Sequence, residues 1–522
     1  MIWPLPASSG SLRRSRTGGS FCHSPPLACR SCGDWGATVI SFRVGFATAF
    51  LAAVLGGCSV DIENQPINQP WTGATPTAPA APLPQHQDIV LGLAFSGGGT
   101  RAAAFSFGVL KALAKTPEPG GTTPLLHDVD FISGVSGGSI TAAYFGYRGE
   151  AALDDFRQRF LIQDMESALR TSLFDPTNWL RLIEGGGVND RRGAQAWLDA
   201  NLFGGSTFAT LERPDRPIVW INASDIYNNT PFVFDHQAFD ALCSDLTKLP
   251  ISEAVAASAA VPFAFAPIVI KSYAGACRYE PPEWATKALK QPPDSGGLQD
   301  YAQALANYQN PKVQDYVKLL DGGLVDNYGL TSVTLRREEE ADLPYAPLTP
   351  EQAVTVRKLL FVVVDAGQSN DNSWVLTPHG PAGVDLAMAA VNTPLNSSKR
   401  ASLDLFNREF ANWQRKLVHY RCKELSEADI VRLRGSLAGW KCDDVHFTVA
   451  MVSFDLLDPP DRDRLSQLPT SLALPASDVD ALIAGGGEAL ARAAGFKAFY
   501  ATPAPRIASL GSGLITSNRC RP

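Results

Sequence analysis

Residues 128–139 read DVDFISGVSGGS: a short apolar run that ends on Gly134-Val135-Ser136-Gly137-Gly138 and passes into a small-residue helical stretch from Ile140 to Tyr147. In a G-x-S-x-G turn between strand and helix, the glycines allow the tight backbone path that lifts the serine Oγ clear of the chain. With 44 Gly among 522 residues the bare pattern is weak. The strand before it and the helix after it supply the specificity. Ser136 is therefore a candidate nucleophile in an elbow formed by Gly134 and Gly138, and the chain reads as α/β with its site where strands end and helices begin.

Upstream, residues 89–95 (IVLGLAF) form a continuous apolar run, as expected of a parallel strand covered on both faces. The run meets Ser96-Gly97-Gly98-Gly99-Thr100-Arg101, and residues 102–113 then carry apolar side chains at helical spacing. Backbone N–H groups at such a turn are unpaired and favour an anion. Residues 97–102 fit the loose G-x-G-x-x-A dinucleotide pattern, but residues 116–121 (TPEPGG) form a loop where a second strand ending in an acidic residue should stand. No Gly-Lys-Ser/Thr follows, which excludes a P-loop. An oxyanion hole at Gly97, Gly98 and Gly99 is the leading reading. Arg101 is assigned to fixing the turn or adding positive potential, because a guanidinium stays charged and does not transfer protons.

A serine hydroxyl needs a base within hydrogen-bond reach. Residues 316–320 (YVKLL) are strand-like and end in Asp321-Gly322-Gly323. This puts a carboxylate at a strand C-terminus, the edge where open α/β sheets carry their sites.

In order along the chain, Gly97-Gly98-Gly99-x-Arg101, Gly134-x-Ser136-x-Gly138 and Asp321-Gly322-Gly323 resemble the bacterial patatin-like phospholipase family. Ala257-Ser258-Ala259-Ala260-Val261-Pro262, with Phe265 and Pro267, and Leu324-Val325-Asp326-Asn327 agree with it; Gly329 departs where the family has Pro. The resemblance spans residues 88 to about 330 and implies a Ser136/Asp321 dyad with no histidine, acting on lipid acyl esters through an acyl-enzyme without cofactor or metal. Glycine N–H groups would hold the oxyanion, each donor being worth about 3 kcal/mol in the transition state.

Two alternatives stand beside it. A Ser-His-Asp esterase needs a late histidine, with His379 and His446 available and His236 and His419 in plain surroundings. A non-catalytic lipid-binding lipoprotein on a decayed hydrolase fold is the other. Asp365, ending the run Val362-Val363-Val364, is a second carboxylate on a strand and reads as the cap of the next turn. Glycine triplets at 185–187 and 485–487 read as turns, the second breaking a terminal helix capped by Ser477 with Asp480.

At the amino terminus, residues 44–57 are uncharged and follow Arg43, the pattern of a signal-peptide h-region. Leu55-Gly56-Gly57-Cys58 resembles a lipoprotein lipobox, which makes Cys58 the lipid carrier and Ser59 an outer-membrane sorting residue. Residues 1–57 are then an upstream extension and leader, with Val39 as an alternative start. Cys22, His23, Cys29 and Cys32 fall inside it, which removes a zinc reading. Residues 58–87, with six Pro among Ala, Thr, Gln and Asn, read as a tether that buries no core, and 88–522 as the hydrolase domain.

Cleavage before Cys58 would leave 465 of 522 residues and, with five Arg and one Asp lost, move the net charge from −7 to −11. This excludes nucleic acid as a partner and rests membrane attachment on the acyl anchor. In an oxidising periplasm Cys243 with Cys277, and Cys422 with Cys442, are the local pairings expected, leaving Cys520 odd. Strands at Ile89, Asp130, Ile218, Val317, Leu359 and Val445 with helices between them predict a mostly parallel sheet covered on both faces, a patatin-like three-layer architecture. Residues 275–315, 367–400 and 415–445 read as surface excursions.

Overall fold

The computed structural model describes residues 64–72 and 88–501, apart from short stretches at 171, 173–174, 214, 291–295, 340–341, 369–372, 377 and 382–383. The expected leader, the expected lipid carrier Cys58, most of the expected tether and Cys520 lie outside the described residues.

The strands are β1 (Ile89–Phe95), β2 (Val129–Val135), β3 (Gly187–Asn189), β4 (Ile218–Asp225), β5 (Thr230–Val233), β6 (Phe263–Phe265), β7 (Ile268–Lys271), β8 (Tyr316–Asp321), β9 (Lys358–Asp365) and β10 (His446–Ser453). The helices used below are α1 (Gly99–Leu113), α2 (Gly137–Arg148), α3 (Pro176–Gly185), α4 (Ile251–Ser258), α5 (Glu283–Lys290), α6 (Gly296–Tyr308), α7 (Leu330–Glu339), α8 (Val384–His419) and α9 (Ala476–Arg492). The main sheet runs β10-β9-β1-β2-β4-β8-β7, with β5 also on β4. Its first five strands are parallel, and β8 and β7 bring an antiparallel margin.

Alternation along the central strands sorts the core into two layers. Leu91, Leu93 and Phe95 of β1 join Leu360, Val362 and Val364 of β9 on the face covered by α1, α2 and α9. Val90 and Ala94 join Leu359, Phe361 and Val363 on the other. That second face is closed by α7 and α8, whose Phe406, Phe410, Trp413 and Leu417 make a buried stripe at helical spacing. The three-layer α/β reading holds.

Several local expectations are corrected. Helix α8 runs unbroken through Val384–His419, so it joins the end of one assigned excursion to the start of the next and carries Leu417 of the second into the core. Residues 485–487 do not end a helix. They sit inside α9, where a Cβ on Gly486 would stand 2.1 Å from the Phe105 carbonyl, and one on Gly108 2.1 Å from that of Ile483. The glycines let α1 and α9 cross with backbones almost touching. Ser477 makes no cap there, and Asp480 is held by Arg157 at 2.7 Å instead. Gly186, at φ +74°, does end α3, but Gly187 opens β3. The 275–315 excursion is a packed helical pair, α5 and α6, with Trp284 stacked on Tyr301.

Part of the tether also belongs to the body. Ile67 is buried and its N–H donates to Val269 at 3.0 Å, while the Asn68 side chain bonds both the N–H and C=O of Lys271. β7 is an edge strand with open backbone groups, and covering it removes a site for aberrant pairing. Both expected disulfides are present, Cys243–Cys277 and Cys422–Cys442.

Candidate active site

Ser136 stands between β2 and α2 with φ 52° and ψ −124°, a strained geometry for a non-glycine residue that costs about 1–3 kcal/mol. Its neighbours over-determine it. A Cβ on Gly134 would lie 2.6 Å from the Ser139 Cα, one on Gly137 2.0 Å from the Gly99 carbonyl, and one on Gly138 2.5 Å from that of Phe95. The Ser136 N–H donates to Ser258 Oγ at 2.9 Å, and Ser258 in turn donates to the Asn222 carbonyl at 2.6 Å. Ser139 Oγ donates to the Ser136 carbonyl at 2.6 Å.

Asp321 reaches the serine through strand register. Val135 pairs with Asn222, and Ala223 pairs with Asp321, so Ser136 and Asp321 flank Ala223 from either side of β4. The strand carrying the carboxylate is antiparallel and overlaps only the end of β4, at Ala223–Asp225. Asp321 thus ends its strand as expected, on a strand that runs against β4. The stagger delivers the carboxylate to the same edge. There the Ser136 hydroxyl lies near enough to favour its ionised form, Gly323 N–H donates to Oδ1 at 2.8 Å, and its own N–H is tied to the Ala260 carbonyl. Burial pushes its pKa up to about 6, against the lowering effect of Ser136 and Gly323.

The glycine turn lies against the elbow: a Cβ on Gly97 would be 3.3 Å from the Ser136 Cβ. Gly98 and Gly99, at φ +141° and +60°, take backbone paths that favour glycine. Of the three amides expected to form the hole, that of Gly97 is spent on the Asn327 carbonyl at 3.2 Å. Among the described residues no protein acceptor takes the N–H of Gly98, Gly99 or Gly137, so the amide after the serine joins two of the predicted donors. Arg101 is no part of the hole. Buried, it donates through Nε to Ala366 O at 3.0 Å, through Nη1 to Leu468 O and through Nη2 to Thr470 Oγ1 at 3.2 Å. Thr100 N–H adds a bond to Ser471 O, so the loop before α9 clasps the turn.

The rival groups lie elsewhere. His446 pairs with Lys358 and, through it, with Ile89, at the opposite ends of the parallel strands from Ser136. His236 bonds Glu212, His419 is exposed near the end of α8, and His379 is exposed in a loop. Asp365 caps its turn through Gly367 N–H and also holds Lys399 and the Tyr328 hydroxyl. Gly329, at φ +67°, has a path closed to proline, which accounts for the departure there. Ser258 lies in the Ala257–Pro262 block, which gave it no role, and Asn222 carries no motif; the signal for Asn222 is a polar residue breaking the run IVWINASD. A cavity of about 650 Å³ opens at the start of β4 beside Ile218, His236 and Arg336, away from this edge.

An elbow serine next to a buried carboxylate, beside open glycine amides on a three-layer α/β sheet, is a candidate serine-hydrolase centre. Residues 93–334 match the family model of patatin-like phospholipase, a span that takes in both glycine turns, Ser136 and Asp321. No curated protein matches the chain. Among solved structures it is similar to human GIVD cytosolic phospholipase A2, with 15% identity and TM-score 0.27 over 52% of this chain and 45% of that one. The same protein in complex with methyl γ-linolenyl fluorophosphonate gives 14% identity and TM-score 0.33 over 79% and 59%. The chain spans about half the length of these structures.

Proposed function

We propose that the chain is a lipid acyl hydrolase in which Ser136 is the nucleophile and Asp321 the general base. The observation that carries this is the juxtaposition of the elbow Ser136 and the buried Asp321 carboxylate on either side of Ala223, at the lip of the glycine turn. Asp321 takes the hydroxyl proton as Oγ bonds to the ester carbonyl carbon, and the oxyanion is received by the N–H groups of Gly98, Gly99 and Gly137. Collapse breaks the ester C–O bond, and the leaving alcohol collects the proton from Asp321. Water then attacks the acyl-Ser136 carbonyl, giving its proton to Asp321. The free fatty acid departs as Oγ is reprotonated.

The match of residues 93–334 to the phospholipase family supports phospholipids or related lipid esters as substrates. Lipid attachment through Cys58 to the periplasmic face of an outer membrane completes the proposal. Two disulfides, suited to an oxidising compartment, support that location. The test is mass spectrometry of products from a mixed lipid extract. The parent should release fatty acids and lysolipids, and folded Ser136→Ala and Asp321→Ala variants should release neither. Equal release by either variant overturns the reading.

A further inference from the structure

Helix α3 is built inside out. Its sequence PTNWLRLIEG turns Asn178 and Arg181 inward, both buried, and leaves Trp179 and Ile183, one turn apart, 53% and 77% exposed. The inward groups are tied down: Asn178 Nδ2 donates to Ser172 O at 2.8 Å, and Arg181 donates to Val188 O at 2.6 Å and to Asp190 at 3.1 Å. Polar contacts thus hold the helix in place while an apolar stripe faces solvent, a pattern that marks an interaction surface.

The stripe continues toward the catalytic edge. β3 follows α3 and sets Gly187 opposite Phe263, which is 54% exposed at φ +69°. Phe263 stands three residues beyond Ala260, whose carbonyl accepts the Asp321 N–H, a reach of at most about 10 Å. Alongside, a cavity of about 250 Å³ is lined by Arg170, Arg181 and Arg192, with Asp190 the carboxylate among them. The chain's net charge is −7, so this is a local basic site on an acidic body.

From this continuity and charge we infer that α3 and Phe263 form the surface on which the protein docks to a phospholipid bilayer. Trp179, Ile183 and Phe263 enter the boundary between headgroups and acyl chains, and Arg170, the cavity guanidinium that Asp190 does not hold, receives lipid phosphate. The inference rests on the reading of Ser136 as a lipid hydrolase centre, since a serine only 6% exposed needs its ester brought out of the bilayer beside it.

The test uses the full chain carrying Ser136→Ala, so that nothing is consumed, and Cys58→Ala, so that no acyl anchor contributes. Co-sedimentation is measured with phosphatidylcholine vesicles, with and without phosphatidylglycerol. Trp179→Gln/Ile183→Gln should lower partition at least about tenfold, and Arg170→Gln should remove the gain from phosphatidylglycerol while keeping partition into phosphatidylcholine alone. Should the double variant not fold, Ile183→Gln alone reads the same surface. Equal partition of parent and variant overturns the inference, as does failure of the parent to partition. A dimer that the double variant disperses would do the same by making a second copy the occupant. Vesicle binding is read without catalysis. Hydrolysis with undiminished partition in the variant therefore sinks docking alone, and docking without hydrolysis by the Ser136 protein sinks the hydrolase reading alone.

Discussion

At the scale of single residues, the chemistry turns on the burial of Asp321. The folded chain holds its proton up to about pH 6, whereas an ordinary aspartate releases it near 3.8. Between those values the folded state binds the extra proton. The neutral acid's stabilising contribution is present below 3.8 and is lost as pH rises through 6, so above pH 6 the ionised carboxylate costs roughly 3 kcal/mol. Asp321→Asn should therefore melt above the parent at pH 8, with the difference closing near pH 4, and should show no ester hydrolysis. For the parent, kcat/KM should fall about tenfold per pH unit below about 6, because the base must be ionised to act. A melting series and a pH–rate profile check both, and an acid limb near pH 4 would contradict this view of the carboxylate.

At the scale of elements, the oxyanion turn depends on a contact from far along the chain. Arg101 joins it to the β9 end at Ala366 and to the loop at Leu468 and Thr470, and α9 is pressed to α1 through Gly108 and Gly486. Arg101→Lys keeps the charge but loses the planar fork. It should lower kcat tenfold or more, short of the ~10²–10³ for losing one oxyanion donor, with the acid limb still near pH 6. An unchanged kcat would show that the clasp does not position the turn. This scale also divides what was legible. The central strands announced themselves as long apolar runs, because strands covered on both faces must be apolar throughout. β3, β5 and β6 have three or four residues and exist through their partners. The reversed direction of β8 is set by its connection, and glycines at 485–487 carry the same letters whether they break a helix or let two helices touch. Ser136, Asp321 and the glycine turn were readable because strained turns demand glycine at fixed offsets. Asn222 belongs to no motif, and Ser258 and Gly137 lie inside quoted blocks whose letters do not say which of their atoms meets the site.

At the scale of the molecule, residues 93–334 that match the family do not make a separable body. β9 and β10 lie outside that span, yet β9 pairs with the first strand along its whole length. Residues 67–71 at the other end cover β7 and touch Cys243, so the stretch read as a tether is in part an edge cover. The two disulfides close loops of 34 and 20 residues, each worth about 3–4 kcal/mol in a chain-entropy account. Reduction should lower the melting temperature markedly, more than the single Cys422→Ser substitution does; a reduced protein melting with the oxidised one would rule out this contribution. Covalent capture reads the nucleophile itself: the protein is treated with a fluorophosphonate probe and the modified peptide mapped. One adduct is expected, on Ser136, absent in Ser136→Ala and much slower to form in Asp321→Asn. Labelling at another residue, or at an equal rate in Asp321→Asn, would overturn the assignment of Ser136 and Asp321.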